Sequence, residues 1–284
     1  MNWTDAVESY IATLNPSTAY QYRIGLQKFA AWHTRAYGSE PKPTLLTDED
    51  ARDWRDYLSD ERKLRAATVN QRLSALKGLA RFCGRQLQVP GIRRVQPPIE
   101  PLTGRELSRL FAVVESSEWG PKWLALRNGA MVALMGKAGM RVGEVVGLDV
   151  GDVDINTRSG WATIRRGKGR KERKVPLSLQ ARKSLREYLD ARPKWAGEPL
   201  FISKTGKRVD KRDVQRMVSN SARRADIEKK VTAHVLRHTF ATRFLRNGGD
   251  LATLQSVLGH ANIETTSRYL HPDAARVQEM VEEL

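Results

Sequence analysis

The chain has 284 residues, 40% of them hydrophobic and 29% charged, which is long enough for two modules and apolar enough for packed cores, and leaves no case for wholesale disorder. Lys and Arg number 49 against 32 Asp and Glu, a formal net charge of +17, so the expected partner is a polyanion: nucleic acid or an anionic membrane surface. Cys83 is the single cysteine, which excludes intrachain disulfides and cysteine-based zinc modules and allows a reducing, cytoplasmic setting.

The membrane reading is the weaker one. No stretch approaches the roughly 18 uninterrupted apolar residues of a spanning helix. The opening MNWTDAVESYIATL carries acids and lacks the basic and apolar regions of a secretory leader. The charge is also unevenly spread. Residues 163–230 hold 22 basic and 8 acidic side chains, net +14, whereas 270–284 hold one Arg and four acids, net −3. A local excess of that size opposes folding unless an anion offsets it.

Four helical patterns fit residues 1–86. Val7, Tyr10, Ile11 and Leu14 recur at helical spacing in the first. The second runs from about Ser17, read as its cap, to Tyr37, and 38–47 is a loop with two prolines. Thr47 and Asp50 form an acidic variant of a capping box for a third helix with Ala51, Trp54 and Leu58 inward. Thr68 and Gln71 are read the same way for a fourth, with Val69, Leu73, Leu76 and Ala80 as its stripe. Its other face shows Arg65, Arg72, Lys77 and Arg81, a set that fits either phosphate docking or a solvated surface.

Residues 87–102 contain four prolines and no periodicity, and read as a linker. Thr103 and Glu106 then cap a helix with Leu107, Leu110, Phe111 and Val114, and a buried helix follows across 122–139. In 149–177 the segments DVGDVDI, WATIRR and ERKVPL read as short strands, the last two flanking a glycine-rich basic hairpin tip. Helices return at about 178–191, 210–225, 234–247, 250–258 and 262–270, and 272–284 reads as a tail helix. The fold class is therefore mainly α with a small antiparallel β-sheet (α+β), in two modules.

Chemistry-bearing residues concentrate in four places. The first is Gly139-Met140-Arg141-Val142-Gly143-Glu144, where an Arg and an acid three residues on also fit a surface pair. The second is Arg166-Gly167-Lys168-Gly169-Arg170-Lys171, whose glycines permit a tight turn but whose spacing is not that of a P-loop. The third is His234-Val235-Leu236-Arg237-His238, where His234, Arg237 and His238 share a helical face. A zinc-protease reading needs Glu where Val235 stands, and a cation between the candidate ligands disfavours a metal, so no metal is expected. The fourth is Leu258-Gly259-His260, then Tyr269 nine residues on, then His271; Gly259 has the position of a helix-stopping residue. Two Arg, one Lys, two His and one Tyr, without a carboxylate pair or a Ser-His-Asp order, make a set suited to phosphoryl chemistry on a nucleic-acid backbone.

HVLRHTFAT, then LGH, then Tyr269 at this spacing, with GMRVGE and GKGRKERKVPL ahead of them, resemble the tyrosine recombinases, the phage-integrase class that includes the bacterial Xer proteins. The resemblance covers 103–284 by motif and the first 86 residues by pattern. It implies a core-binding DNA-binding domain at 1–86, an interdomain linker at 87–102 and a catalytic domain at 103–284. It further implies that Arg141 and Arg237 clamp the scissile phosphate, that Tyr269 is the nucleophile forming a 3′-phosphotyrosine, and that His234 is the candidate base. Lys168 would protonate the departing 5′-oxygen, His260 would hydrogen-bond the phosphate, and Glu144 would buttress the site. No ATP, metal or other cofactor is implied.

His238 and His271 fall outside the catalytic positions and read either as structural or as supporting the catalytic residues from behind. Gly143 departs from the small hydroxyl residue of many relatives. Arg65, Arg72, Lys77, Arg170 and Lys171 are the candidate DNA contacts. Expected partners are a double-stranded recombination site and further copies of the chain, as a tetramer on DNA, with the tail either docking into a neighbour or packing on its own domain. An extra arm-binding domain is not expected. Two alternatives remain: a DNA-binding or architectural protein descended from a recombinase, and a type IB topoisomerase, which shares the chemistry.

Overall fold

The structure, a computed structural model, describes residues 1–93, 99–116, 120–165 and 172–259. The chain forms two compact units, Met1–Pro97 and Pro98–Leu284. Among the described residues there are eleven α-helices and three strands.

The first unit holds α1 (Trp3–Ala12), α2 (Pro16–Tyr37), α3 (Asp48–Asp56) and α4 (Ala66–Phe82). Local chemistry sets their ends. Asn15, not Ser17, caps α2: its Oδ1 accepts from the Thr18 N–H at 3.0 Å, and Ser17 Oγ donates to the same oxygen. Pro16 follows at the first helical position, where its missing N–H costs no bond. Thr47 and Asp50 form the expected reciprocal box on α3. For α4 the expected box is absent. The helix opens behind Arg65, and Thr68 sits inside the first turn with its N–H bonded to the Arg65 carbonyl.

The core of this unit is aromatic. Phe29 lies 5.4 Å from Trp3 and 5.6 Å, edge-on, from Trp54, which is 5.2 Å from Trp32. Tilted and edge-to-face pairs at these separations add to the area they bury. Leu73, Leu76, Leu79 and Ala80 close it from α4. The stretch after α4 is packed here too. Leu87 and Val89 alternate inward and are buried, Lys77 Nζ donates to the Val89 carbonyl, and the Asn70 amide holds Ile92 at both its N–H and its carbonyl.

The second unit is built round α6 (Lys122–Lys137), buried on nearly all sides from Leu124 to Gly136, as a central helix must be. Around it lie α5 (Gly104–Val114), α8 (Leu179–Ala191), α9 (Lys211–Arg224) and α10 (Ala233–Arg246). Thr103 and Glu106 box the start of α5. The short α7 (Val142–Gly147) leads to β1 (Val153–Ile155), β2 (Gly160–Ile164) and β3 (Arg173–Pro176). These form an antiparallel sheet in the order β1-β2-β3, with Ile164 opposite Arg173. Ala162, Ile164 and Val175 put one face of the sheet into the core. Removing one of the fully buried aliphatic side chains, such as Leu134, costs about 2–5 kcal/mol.

Last comes α11 (Leu251–Leu258), capped by Asp250 and ended by Gly259 at φ +63. Leu254 and Leu258 form a small separate core with Ala241, against which Phe240, Phe244 and Leu245 pack. That core fixes the end of α11 against α10. The expected helix at 262–270 and tail helix at 272–284 lie outside the described residues.

Candidate active site

The turn between α6 and α7 brings the first arginine into place. Gly139 has φ +69, and a Cβ there would stand 2.4 Å from the Phe240 ring, so only glycine fits. Met140 is buried beneath it. Arg141 then stands at the start of α7 with its side chain free to reach the end of α11. The second arginine, Arg237, is 2% exposed on α10. Its Nη1 donates to the Gly139 carbonyl at 2.7 Å and its Nη2 to the Leu258 carbonyl at 2.8 Å.

The two guanidiniums converge. Arg141 Nη1 donates to the same Leu258 carbonyl at 3.0 Å, and its Nη2 to the Gly259 carbonyl at 3.2 Å. Both cations therefore hang from the carboxyl end of α11, where helix carbonyls lack intrahelical partners and carry partial negative charge. The left-handed Gly259 turns the chain so that these carbonyls face the arginines.

One carboxylate joins this pair to the sheet. Glu144 Oε2 accepts from the Arg141 N–H at 2.8 Å and Oε1 from Arg141 Nη1 at 2.9 Å. Arg173, the first residue of β3, adds a two-pronged contact, Nη1 to Oε1 and Nη2 to Oε2, each 2.9 Å. Burial alone would raise the Glu144 carboxyl; the Arg173 fork and then the Arg141 N–H outweigh it and hold the group below its ordinary range.

His234 lies exposed in the first turn of α10, three residues before Arg237, and His238 is buried. Thr232 caps that helix through the Val235 N–H. Thr239 ties it inward, donating to the Val235 carbonyl and accepting from the Leu102 N–H. Thus Arg141, Glu144 and Arg237 are brought together, with His234 on the same helix as Arg237. Lys168, Arg170, Lys171, His260, Tyr269 and His271 lie outside the described residues. Arg173 was missed by sequence reasoning, although its alternation with buried Val175 marks the inward face of a strand. Among the described residues no three His, Cys, Asp or Glu gather as metal ligands, and no helix is long and apolar enough to cross a membrane.

Each unit also has a basic hollow of its own. In the first unit a cavity of about 290 Å³ has Trp32, Trp54 and Tyr57 in its wall and Lys28, Arg35, Arg62 and Arg72 around it, with no carboxylate in its lining. Arg35 and Arg62 both donate to the Tyr57 hydroxyl, at 3.0 and 3.4 Å. Burial, and then the neighbouring Arg62, disfavour the charge on Arg72. Of the other residues expected to meet DNA, Arg65 is exposed, whereas Lys77 is engaged with the Val89 carbonyl. In the second unit an open groove of about 610 Å³ is lined by Arg212, Gln215, Arg216, Ser219 and Thr232.

A helical unit followed by a mostly helical unit with a three-stranded sheet is an arrangement that known proteins share. The phage integrase family matches residues 100–276, and the phage integrase N-terminal SAM-like domain matches residues 2–87. Tyrosine recombinase XerC of Methylobacterium sp. (strain 4-46) is 31% identical, with 98% of this chain and 92% of that protein covered. The crystal structure of XerA recombinase superposes with a TM-score of 0.56 at 27% identity, covering 99% of this chain and 98% of that one. XerH site-specific recombinase, in a post-cleavage complex with a palindromic difH substrate, superposes with a TM-score of 0.75 at 24% identity, covering 93% and 78%. The chain belongs to the phage integrase family, as a tyrosine-type recombinase.

Proposed function

We propose that the chain cleaves and rejoins DNA strands at a specific site, for integration, excision or resolution, through a 3′-phosphotyrosine on Tyr269. The observation that carries this reading is the convergence of Arg141 and Arg237 on one carbonyl, that of Leu258. Two planar guanidiniums fixed side by side suit the non-bridging oxygens of one phosphate. They are in place before the charge develops, which is how enzymes stabilise such a transition state most effectively.

In this reading the Tyr269 oxygen attacks phosphorus and the bond from phosphorus to the 5′-oxygen breaks. The phenol proton passes to His234, and Lys168 protonates the departing 5′-oxygen. A free phenol has a pKa of about 10, so on the order of one in a thousand is ionised at neutral pH, and the base and the cations are both needed. His260 hydrogen-bonds the phosphate, and Glu144 holds Arg141. The phosphotyrosine keeps the energy of the phosphodiester, and attack by a 5′-hydroxyl reverses the steps without ATP.

The helical unit, assigned to 1–86 with 87–102 as connector, and the catalytic unit, 103–284, both meet duplex DNA. Arg65, Arg72, Lys77, Arg170 and Lys171 are the contacts expected from sequence. The cation-ringed cavity adds Arg35 and Arg62 as phosphate partners beside Arg72, whereas Lys77 is drawn to the Val89 carbonyl. The α9 groove offers Gln215 and Ser219 alongside two arginines, Arg212 and Arg216, a composition suited to base edges and neighbouring phosphates. The chain acts in the cytoplasm as a tetramer on its site, coupled by the 272–284 tail.

The test is a nicked suicide substrate bearing the selected site. Wild-type chain should form a covalent protein–DNA adduct, and Tyr269→Phe should bind the same DNA and form none. An unchanged adduct yield in that variant overturns the assignment. Binding without any cleavage by the wild type favours the architectural alternative, and relaxation of plasmids without a specific site favours a topoisomerase.

A further inference from the structure

Arg173 belongs to no position that the proposed reaction uses, yet it touches three parts of the site. It opens β3 and pairs with Ile164 at the end of β2, and Lys168 belongs to the stretch of sequence that joins the two strands. Val175, two residues on and on the same face, is buried and anchors the strand. The guanidinium leaves the strand for the interior, 19% exposed, and spends both terminal nitrogens on Glu144. It also lies against the end of α11: a Cβ on Gly259 would stand 2.8 Å from its Cζ and Nε.

Glu144 in turn grips both the backbone and the side chain of Arg141. Without Arg173 the carboxylate would be restrained from one side only, by the residue it is meant to orient. With Arg173 it is held from the sheet, and the sheet, α7 and the end of α11 share one rigid junction. Charge supports the same view. Two guanidiniums grip one carboxylate and a third shares the Leu258 carbonyl with Arg141, so the junction stays net positive, as a phosphate site requires. Arg173 directs both terminal nitrogens at Glu144, and its Nε is buried without a hydrogen-bond partner among the described residues.

We infer that Arg173 is a positioning residue for strand cleavage: through Glu144 it fixes Arg141, and with it the paired ends of β2 and β3, at the end of α11. This rests on the reading of the chain as a recombinase. A 1 Å misplacement of catalytic groups costs on the order of 100-fold in rate, so Arg173→Gln should slow single-turnover adduct formation about 10- to 100-fold at saturating DNA, with the DNA Kd unchanged within about threefold. Arg173→Lys keeps the charge but cannot span both carboxylate oxygens, and should restore less than a tenth of the lost rate.

A cycle with Glu144→Gln separates this from a merely structural salt bridge. If Arg173 works through Glu144, the double variant Glu144→Gln/Arg173→Gln is no slower than the slower single variant. Should Arg173→Gln fail to fold, Arg173→Lys and the double variant, which leaves no buried carboxylate lacking its partner, carry the test. Wild-type rates in Arg173→Lys, losses that multiply in the double variant, or a loss confined to Kd would each overturn the role. A wild-type chain that forms no adduct removes the recombinase reading itself, a result distinct from an active wild type indifferent to residue 173.

Discussion

Gly259→Ala probes the site where its cations are anchored. Two costs add. The first is conformational: φ is +63, and an L side chain in the left-handed region costs about 1–2 kcal/mol. The second is steric. The new methyl would stand 2.8 Å from two atoms of Arg173, and overpacking of this kind costs about 1–3 kcal/mol. The guanidinium cannot swing aside freely, because Glu144 holds both of its ends. The total is about 2–5 kcal/mol, and at about 2–4 °C per kcal/mol for a domain of this size the melting transition of the catalytic unit should fall by on the order of 10 °C. Gly248→Ala is the matched control. Its φ is +88 with no atom within 4 Å of the new Cβ, so it reports the conformational cost alone, about 2–8 °C on the same scale. Calorimetry of the two full-length variants decides. If Gly259→Ala melts within about 2 °C of Gly248→Ala, Arg173 does not rest on the end of α11 and the three-arginine junction is wrongly drawn.

Two further outcomes follow from the same geometry. Arg62→Gln, at the cation-ringed cavity, should weaken binding to every DNA sequence alike and lower the slope of log K against log salt by about 0.9, the loss of one phosphate contact; titrations at several salt concentrations that return the wild-type slope would remove the cavity from the interface. For Glu144, burial opposes ionisation, but the Arg173 fork and the Arg141 contacts win and depress the folded-state value. Its contribution to stability is therefore full above the unfolded carboxyl range, near about 4.3, and is lost as pH falls through the folded value. Urea unfolding should show the gap between wild type and Glu144→Gln closing below about pH 4, and a gap that widens on acidification would contradict the depressed carboxyl.

Much of this was legible in the residues because the signals were local. The reciprocal boxes at Thr47–Asp50 and Thr103–Glu106 need only four residues each, and both formed. Gly259 announced a helix end, and the left-handed turn is there. Ser17 and Asn15 are equally good caps by type, and the choice between them fell to Pro16, which takes the first helical position and leaves the cap to the residue before it. The failures were of longer range. Arg173 lies in a tract where every cation looks alike, and its partner is 29 residues away. Lys77 read as part of a basic face, but Leu87 and Val89 fold back onto the helical unit and bring a carbonyl to it. The cavity takes its cations from α2, from the turn after α3 and from α4, so no single helical stripe displays it.

The Leu258 carbonyl accepts from both Arg141 and Arg237, and the chain runs on from that helix end to Tyr269, ten residues beyond Gly259. In the proposed reaction, the phosphate clamp and the point of departure of the segment bearing the proposed nucleophile thus have a common pivot. Neither can be retuned by substitution near the pivot without disturbing the other.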